Sequence, residues 1–165
     1  MRSVNLLAAA AVLALAAASA SPAGHDIYPP PTHARADLSA ALKNAARTHR
    51  RVLLDFGGNW CGDCQVLNIY FHDSTNLPIL QANYVLVDIN VGYMDANVDL
   101  AAKYGIPLKK GVPALAVLDE HGRLIYSQKN GEFEAMERMQ SSAVTSFLAH
   151  WRPQRPGCST VMINC

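Results

Sequence analysis

Two short stretches of almost unbroken apolar residues set the frame of this chain: Val52-Leu53-Leu54-Asp55-Phe56 and Tyr84-Val85-Leu86-Val87-Asp88-Ile89. Each is interrupted by a single acid, and runs of this length predict strands buried on both faces. Ala114-Leu115-Ala116-Val117-Leu118 predicts a third strand. Asp119-Glu120-His121-Gly122 then reads as a turn that returns the chain along Leu124-Ile125-Tyr126-Ser127. Between these runs the apolar spacing lengthens to the helical period. Leu38, Ala41, Leu42 and Ala45 share one face of a helix that Asp37 would cap, running to about His49. Gly57-Gly58 ends the first strand, and Trp60-Cys61 opens a second helix reaching about His72, with Val66, Leu67, Ile69 and Tyr70 as its apolar residues.

A short helical turn fits Ser74–Leu80, and Asp95 can cap a helix over Val98–Tyr104 that Gly105 and Pro107 stop. Ser141 or Ser142 starts a last helix through Trp151. The resulting order, α-β-α-β-α-β-β-α, ends a βαβ chain in a hairpin. It predicts an α/β fold with a central mixed sheet flanked by helices on both faces.

The first residues follow a different pattern. Arg2 precedes a run of Leu, Ala and Val from Leu6 to Ala18, and Ala18-Ser19-Ala20 has the small-residue form of a cleavage site. Residues 1–20 are therefore expected to be a secretory signal peptide; as an uncleaved anchor the run would fall short of the ~20 residues a spanning helix needs. Residues 21–36, with four Pro and little periodicity, are expected to be a flexible leader. Residues 37–152 form the domain, and 153–165 a tail. With 14 basic and 13 acidic residues the chain carries no polyelectrolyte signal, which argues against nucleic acid or an anionic membrane surface as a main partner.

Export changes the meaning of the four cysteines, because disulfides persist outside the cytoplasm. Proximity pairs Cys61 with Cys64 and Cys158 with Cys165. Cys61-Gly62-Asp63-Cys64 lies at a strand-to-helix junction, where free N–H groups and a partial positive charge favour a thiolate on Cys61. Cys64, one turn on, is the resolving thiol of a mixed disulfide formed on the more exposed Cys61. Two plainer readings compete. Half a zinc site would need a second Cys-x-x-Cys or a His pair, and the chain's six His are scattered. A structural disulfide across so short a loop would constrain little of the unfolded chain. No resident cofactor or metal is expected beyond the redox-active cysteines.

Leu53-Leu54-Asp55-Phe56 followed by Trp60-Cys61-Gly62-Asp63-Cys64 resembles the active-site strand and helix of the thioredoxin superfamily. Trp60 stands just before the nucleophile, and Asp55, six residues ahead of Cys61, matches the family's buried carboxylate. Gly111-Val112-Pro113 matches the loop that holds its cis-proline, and Gly122 falls in the expected hairpin turn. Within the superfamily, the chain is most similar to secreted thioredoxin-like proteins and to the C-terminal domain of the membrane-embedded periplasmic disulfide reductase. The resemblance implies that Asp55 has a raised pKa and takes the proton of Cys64, unless it is a strand-end acid facing solvent. It implies that Trp60, Val112 and Pro113 bind substrate, the Val112 backbone docking an extended segment, unless Pro113 is an ordinary trans-proline.

Departures from the family tune these expectations. Asp63 stands where thioredoxin itself has Pro. An acid beside Cys61 opposes the helix end, and a less stabilised thiolate makes the reduced pair a better electron donor. Gly62 and Asp63 therefore point to a reductant or isomerase. Gly57-Gly58 replaces bulkier residues and would leave that wall of the site open, and Asp88 falls where many relatives carry a Lys near the buried acid. Cys158 and Cys165 match nothing in the family core. They read as a structural disulfide, with exchange against Cys61 and Cys64 as the alternative.

Taken together, the sequence points to a protein-disulfide reductase or isomerase acting on exported cysteine-containing proteins in a periplasm. It would be a monomer, since residues 21–36 leave little room for a dimerisation domain, and a membrane-bound thiol–disulfide donor would recharge it. A thioredoxin-like copper carrier using the same two sulfurs is the alternative from another class.

Overall fold

The computed structural model describes residues 26–154. The expected signal peptide, the leader before Asp26 and the Cys158–Cys165 pair lie outside the described residues. Four strands form one sheet in the order β2-β1-β3-β4: β1 Arg51–Gly57, β2 Tyr84–Asn90, β3 Ala114–Leu118 and β4 Leu124–Ser127. β1 runs parallel to β2 and antiparallel to β3, and β3 and β4 form the hairpin, so the sheet is mixed.

β1 has partners on both sides, and all of it after Arg51 is buried. The unbroken apolar run demands this, because both faces of the strand must then be covered. Side chains alternate across it. Val52, Leu54 and Phe56 join the layer under α1 (Ala34–Thr48) and α4 (Val98–Lys103). Leu53 joins the layer under α2 (Gly62–Phe71), α3 (Asn76–Asn83) and α5 (Ser141–His150), with Leu67, Phe71, Leu80, Val144 and Leu148. Helices thus cover both faces.

β2 departs from its expected character. Its run is nearly as apolar as that of β1, yet it stands at the sheet edge and is only half-buried along its length. The two strands differ in how many neighbours the topology gives them, which composition does not encode.

The start of the domain differs more. α1 begins at Ala34 rather than after Asp37, with Pro31–His33 forming a 3-10 turn that leads into it. Proline suits such a first turn, since its missing N–H would have no partner there anyway. The buried stripe is Ala34, Leu38, Ala41 and Ala45. From Asp26 on, the leader expected to be flexible is docked. Asn59 accepts hydrogen bonds from the N–H of Ile27 and Tyr28 and donates to the Tyr28 carbonyl, each at 2.9 Å. Asn90 and Asn97 donate to the carbonyls of Pro29 and Pro31. A proline-rich segment makes no ladder of its own, so side-chain amides satisfy its backbone.

At α4 the first residues are preceded by Asn97 in the left-handed region (φ 51°), not capped by Asp95, which instead accepts from the N–H of Tyr93. α3 and α5 are joined by the buried Asn76, whose amide donates to the Tyr70 carbonyl and Ser141 Oγ and accepts from Thr145 Oγ1. The hairpin turn forms as expected: Asp119 Oδ1 accepts the N–H of His121 and Arg123, and Gly122 takes φ 82°. Among the described residues no helix is long and apolar enough to cross a membrane.

Leu67 is fully buried on α2, while Ile69 on the same helix is exposed. Replacing Leu67 with Ala should cost about 2–5 kcal/mol of stability by cavity formation, and Ile69→Ala should change it by less than about 0.5 kcal/mol. Urea unfolding of the two variants checks the assignment of inner and outer faces.

Candidate active site

The site lies where β1 ends and α2 begins. Gly57 closes the strand, and the N–H of Cys61 bonds the Gly58 carbonyl at 3.0 Å, which turns the chain into the helix. Cys61 is the N-cap of α2, and its Sγ accepts the N–H of Cys64 at 3.1 Å. That is a helix N-terminus presenting its donors to sulfur. Cys61 and Cys64 are joined as a disulfide with Cα atoms 5.2 Å apart. Cys61 keeps 6% of its surface accessible and Cys64 none. Cys61 is thus the outer sulfur but far from open.

The second wall is the loop before β3. The Val112–Pro113 peptide is cis, and the Val112 carbonyl oxygen lies 3.5 Å from Cys61 Sγ. Behind it, the buried Gln128 donates to the Pro113 carbonyl and accepts the N–H of Leu115, which ties this loop to the sheet. Trp60 is 47% exposed. Its Nε1 donates to the Gly92 carbonyl at 2.6 Å, and its ring stacks on Tyr93, which is 80% exposed, at 5.9 Å and 17° between planes. The two rings form an exposed aromatic pair on the residue just before Cys61 and the loop after β2.

Asp63 does not simply face Cys61. Its Oδ1 accepts the N–H of Glu137 at 2.8 Å, joining α2 to the 3-10 turn Met136–Arg138. Gly62 fits beneath the same segment, since a Cβ there would sit 3.1 Å from Glu137 Oε1. Two carboxylates therefore flank the helix mouth.

Asp55 is 1% exposed, and its Oδ2 accepts the Tyr28 hydroxyl at 2.9 Å while Oδ1 has no partner among the described residues. Burial holds its carboxyl well above the usual range. The charge of Asp88 adds to this, and the Tyr28 hydrogen bond opposes it. Asp88 is the register partner of Asp55 on β2, so both acids share a face of the sheet. Burial pushes Asp88 up to about 6. The wall expected to stand open at Gly57-Gly58 is filled. A Cβ on Gly57 would run into the Tyr28 hydroxyl and come within 2.8 Å of Cys64 Sγ, and one on Gly58 would meet Trp60 Nε1 at 2.6 Å.

The family model described as thioredoxin-like matches residues 33–120, more than half of the chain. The chain belongs to the thioredoxin-like family. A solved structure titled as the disulphide isomerase from Xylella fastidiosa Temecula1 is 32% identical. The match covers 75% of this chain and 95% of that one, with a TM-score of 0.72. The C-terminal domain of DsbD from Neisseria meningitidis in the reduced form (20% identity, 72% and 96% covered, TM-score 0.50) shares the fold. So does a thioredoxin from Thermus thermophilus (21% identity, 74% and 83% covered, TM-score 0.51). No curated protein matches the chain.

This thioredoxin-like oxidoreductase thus gathers Cys61, Cys64, Asp55, Trp60, Val112, Pro113, Gly62 and Asp63 at one end of the sheet. Cys158 and Cys165 lie outside the described residues. Sequence reasoning missed Tyr28, Asn59, Gln128, Glu137 and Tyr93. Only the paired glycines at 57 and 58 hinted that something must fill the space beside the cysteines.

The acid pair sets a pH dependence. A carboxyl near 4 in the unfolded chain but higher in the fold makes the native state bind the extra proton. Its contribution to stability is then full below about pH 4 and is lost as pH rises through the folded value. For Asp88 that window runs from the ordinary 3.8 to about 6. Asp88→Asn should therefore gain stability over the wild type as pH rises from 4 to 7, by on the order of 2 kcal/mol. Urea unfolding of both proteins across that range reads the difference.

Proposed function

We propose that this protein exchanges dithiol for disulfide on exported cysteine-containing proteins, in the reducing or isomerising direction. The observation that carries the reading is Cys61 Sγ at the mouth of α2, receiving the Cys64 N–H and facing the Val112 carbonyl. A thiolate on Cys61 would be held by that N–H, while an extended substrate segment laid along Val112 and Pro113 would bring its own sulfur to Cys61. Trp60 would border the bound segment.

Chemically, the Cys61 thiolate attacks a substrate disulfide, its sulfur bonds to one substrate sulfur, and the other leaves as thiolate. Cys64 then attacks Cys61 Sγ and releases the second substrate sulfur, leaving Cys61–Cys64 oxidised and the substrate reduced by two electrons. Asp55, buried and with its carboxyl raised, would take the Cys64 proton. In the isomerising direction Cys64 does not resolve. The released substrate thiolate attacks a second substrate disulfide, the thiolate freed there attacks the substrate sulfur bound to Cys61, and Cys61 leaves as thiolate, so the pair ends as the dithiol it began as. The 32% identical structure titled a disulphide isomerase supports this direction.

The flanking acids favour electron donation. Asp63 and Glu137 set negative charge beside the helix mouth, which disfavours the thiolate form and makes the dithiol more reducing. A reductant of this kind needs an upstream dithiol, and an export signal at residues 1–20 would place that donor in the membrane of a periplasm. Cys158 and Cys165 would serve as a structural disulfide of the tail.

Cys61→Ser should abolish disulfide reduction, and Cys64→Ser should trap the mixed disulfide, seen as a mass increase equal to the reduced substrate less two hydrogens. The reduction potential of the Cys61–Cys64 pair, measured with Cys158 and Cys165 changed to Ser, should lie near the thioredoxin end of the range at ~−270 mV, and a value near ~−120 mV would make the protein an oxidant. A tight Cu(I) complex of the reduced protein together with inert redox behaviour would favour copper carriage instead.

A further inference from the structure

The Tyr28 hydroxyl occupies a position that simple packing of the leader does not require. It is buried, it donates to Asp55 Oδ2, and it fills the space a side chain at Gly57 would need, with Cys64 Sγ bordering the same space. Its backbone is held on both sides by Asn59, which belongs to the active-site loop between Gly57 and Cys61. The N-terminal strap is thus anchored to the element that carries the cysteines.

We propose that Tyr28 is a positioning residue of the active site, its hydroxyl relaying the proton that Cys64 loses to the Asp55 carboxylate. The proposal rests on the thiol–disulfide exchange reading above. In the resolving step the Cys64 S–H bond breaks as its sulfur bonds to Cys61 Sγ, and the bond from Cys61 to the substrate sulfur breaks. The substrate sulfur leaves with that electron pair. The Cys64 proton passes to Tyr28 Oη while the hydroxyl proton passes to Asp55 Oδ2, so Tyr28 ends as it began and Asp55 ends neutral. The donor needed for the second transfer is already aimed at Oδ2.

The surroundings suit this role. Burial and the neighbouring Asp55 hold the Tyr28 hydroxyl well above its ordinary value, which keeps it a protonated carrier rather than a phenolate. Burial makes Asp55 a stronger base than an exposed carboxylate. The other titratable group acting on both is Asp88 from β2, which strengthens Asp55 as a base; His72, exposed after α2, acts on Asp88. Glycine at 57 follows directly, because a Cβ there would run into the Tyr28 hydroxyl and meet Cys64 Sγ at 2.8 Å, and would displace the hydroxyl from the space it fills.

The test uses reduced protein carrying Cys158→Ser and Cys165→Ser, mixed with 5,5′-dithiobis(2-nitrobenzoate) in a stopped-flow spectrometer. The first thionitrobenzoate released reports attack by Cys61, and the second reports resolution by Cys64. Tyr28→Phe keeps the ring in place. It should leave the first phase unchanged and slow the second at least about 10-fold at pH 6, converging on the unsubstituted rate as pH nears ~8.5, where the thiolate forms without help. The Tyr28→Phe, Asp55→Asn double variant should be no slower than Asp55→Asn alone. A second phase within twofold of the parent at every pH, or slowed equally at every pH, overturns the relay while leaving exchange intact. If the parent protein releases no second thionitrobenzoate, the exchange reading falls and the relay with it. Should Tyr28→Phe fail to fold, Asn59→Ala, which loosens the strap but keeps the hydroxyl, carries the same comparison. Slowing confined to low pH then supports the relay, and a parental profile overturns it.

Discussion

The structure depends on a single strand that is buried on both faces and bonded along both edges. β1 receives β2 on one side and β3 on the other, and it delivers Asp55 and Gly57 to the point where α2 starts. Because neither face meets solvent, an acid inside it must be matched by something polar. That requirement organises the site: a carboxyl without water looks for a donor, and the donor it finds is a tyrosine brought in from before the first helix. The strand therefore fixes both the position of the cysteines and the character of the group beside them.

From this constraint follows a site with two distinct electrostatic layers. At the surface, the helix N-terminus favours a thiolate on Cys61 while Asp63 and Glu137 oppose it. Beneath, Asp55 and Asp88 are placed side by side by the parallel register, and each resists ionisation. In the proposed exchange, the outer layer would bear on the redox balance of the pair and the inner layer on proton movement. Cys64 touches both: its N–H reaches the outer sulfur, and its own sulfur borders the space beside Gly57 that the Tyr28 hydroxyl fills.

The leader shows how local composition can mislead. Four prolines and no apolar period in residues 21–36 are the composition of a mobile segment. That reading fails from Asp26 on because Asn59, Asn90 and Asn97 supply the hydrogen bonds that the segment cannot make for itself. None of these is near it in sequence. β2 misleads in the opposite sense: its composition is that of a central strand and its place is at the edge.

What the sequence determined is everything written in short-range pattern. Apolar runs and turn residues mark the four strands, the helical period marks the helices, and Trp60-Cys61-Gly62-Asp63-Cys64 marks the chemistry, since a three-residue step on one helix brings two sulfurs together whatever surrounds them. Tertiary structure alone decided what surrounds them. The pairing of Asp55 with Asp88 depends on strand register, the approach of Val112 to Cys61 on where a distant loop lies, and the Tyr28–Asp55 contact on a strap folding back across the domain. Such contacts join residues far apart in the chain, and their energies arise only when burial removes the competing water.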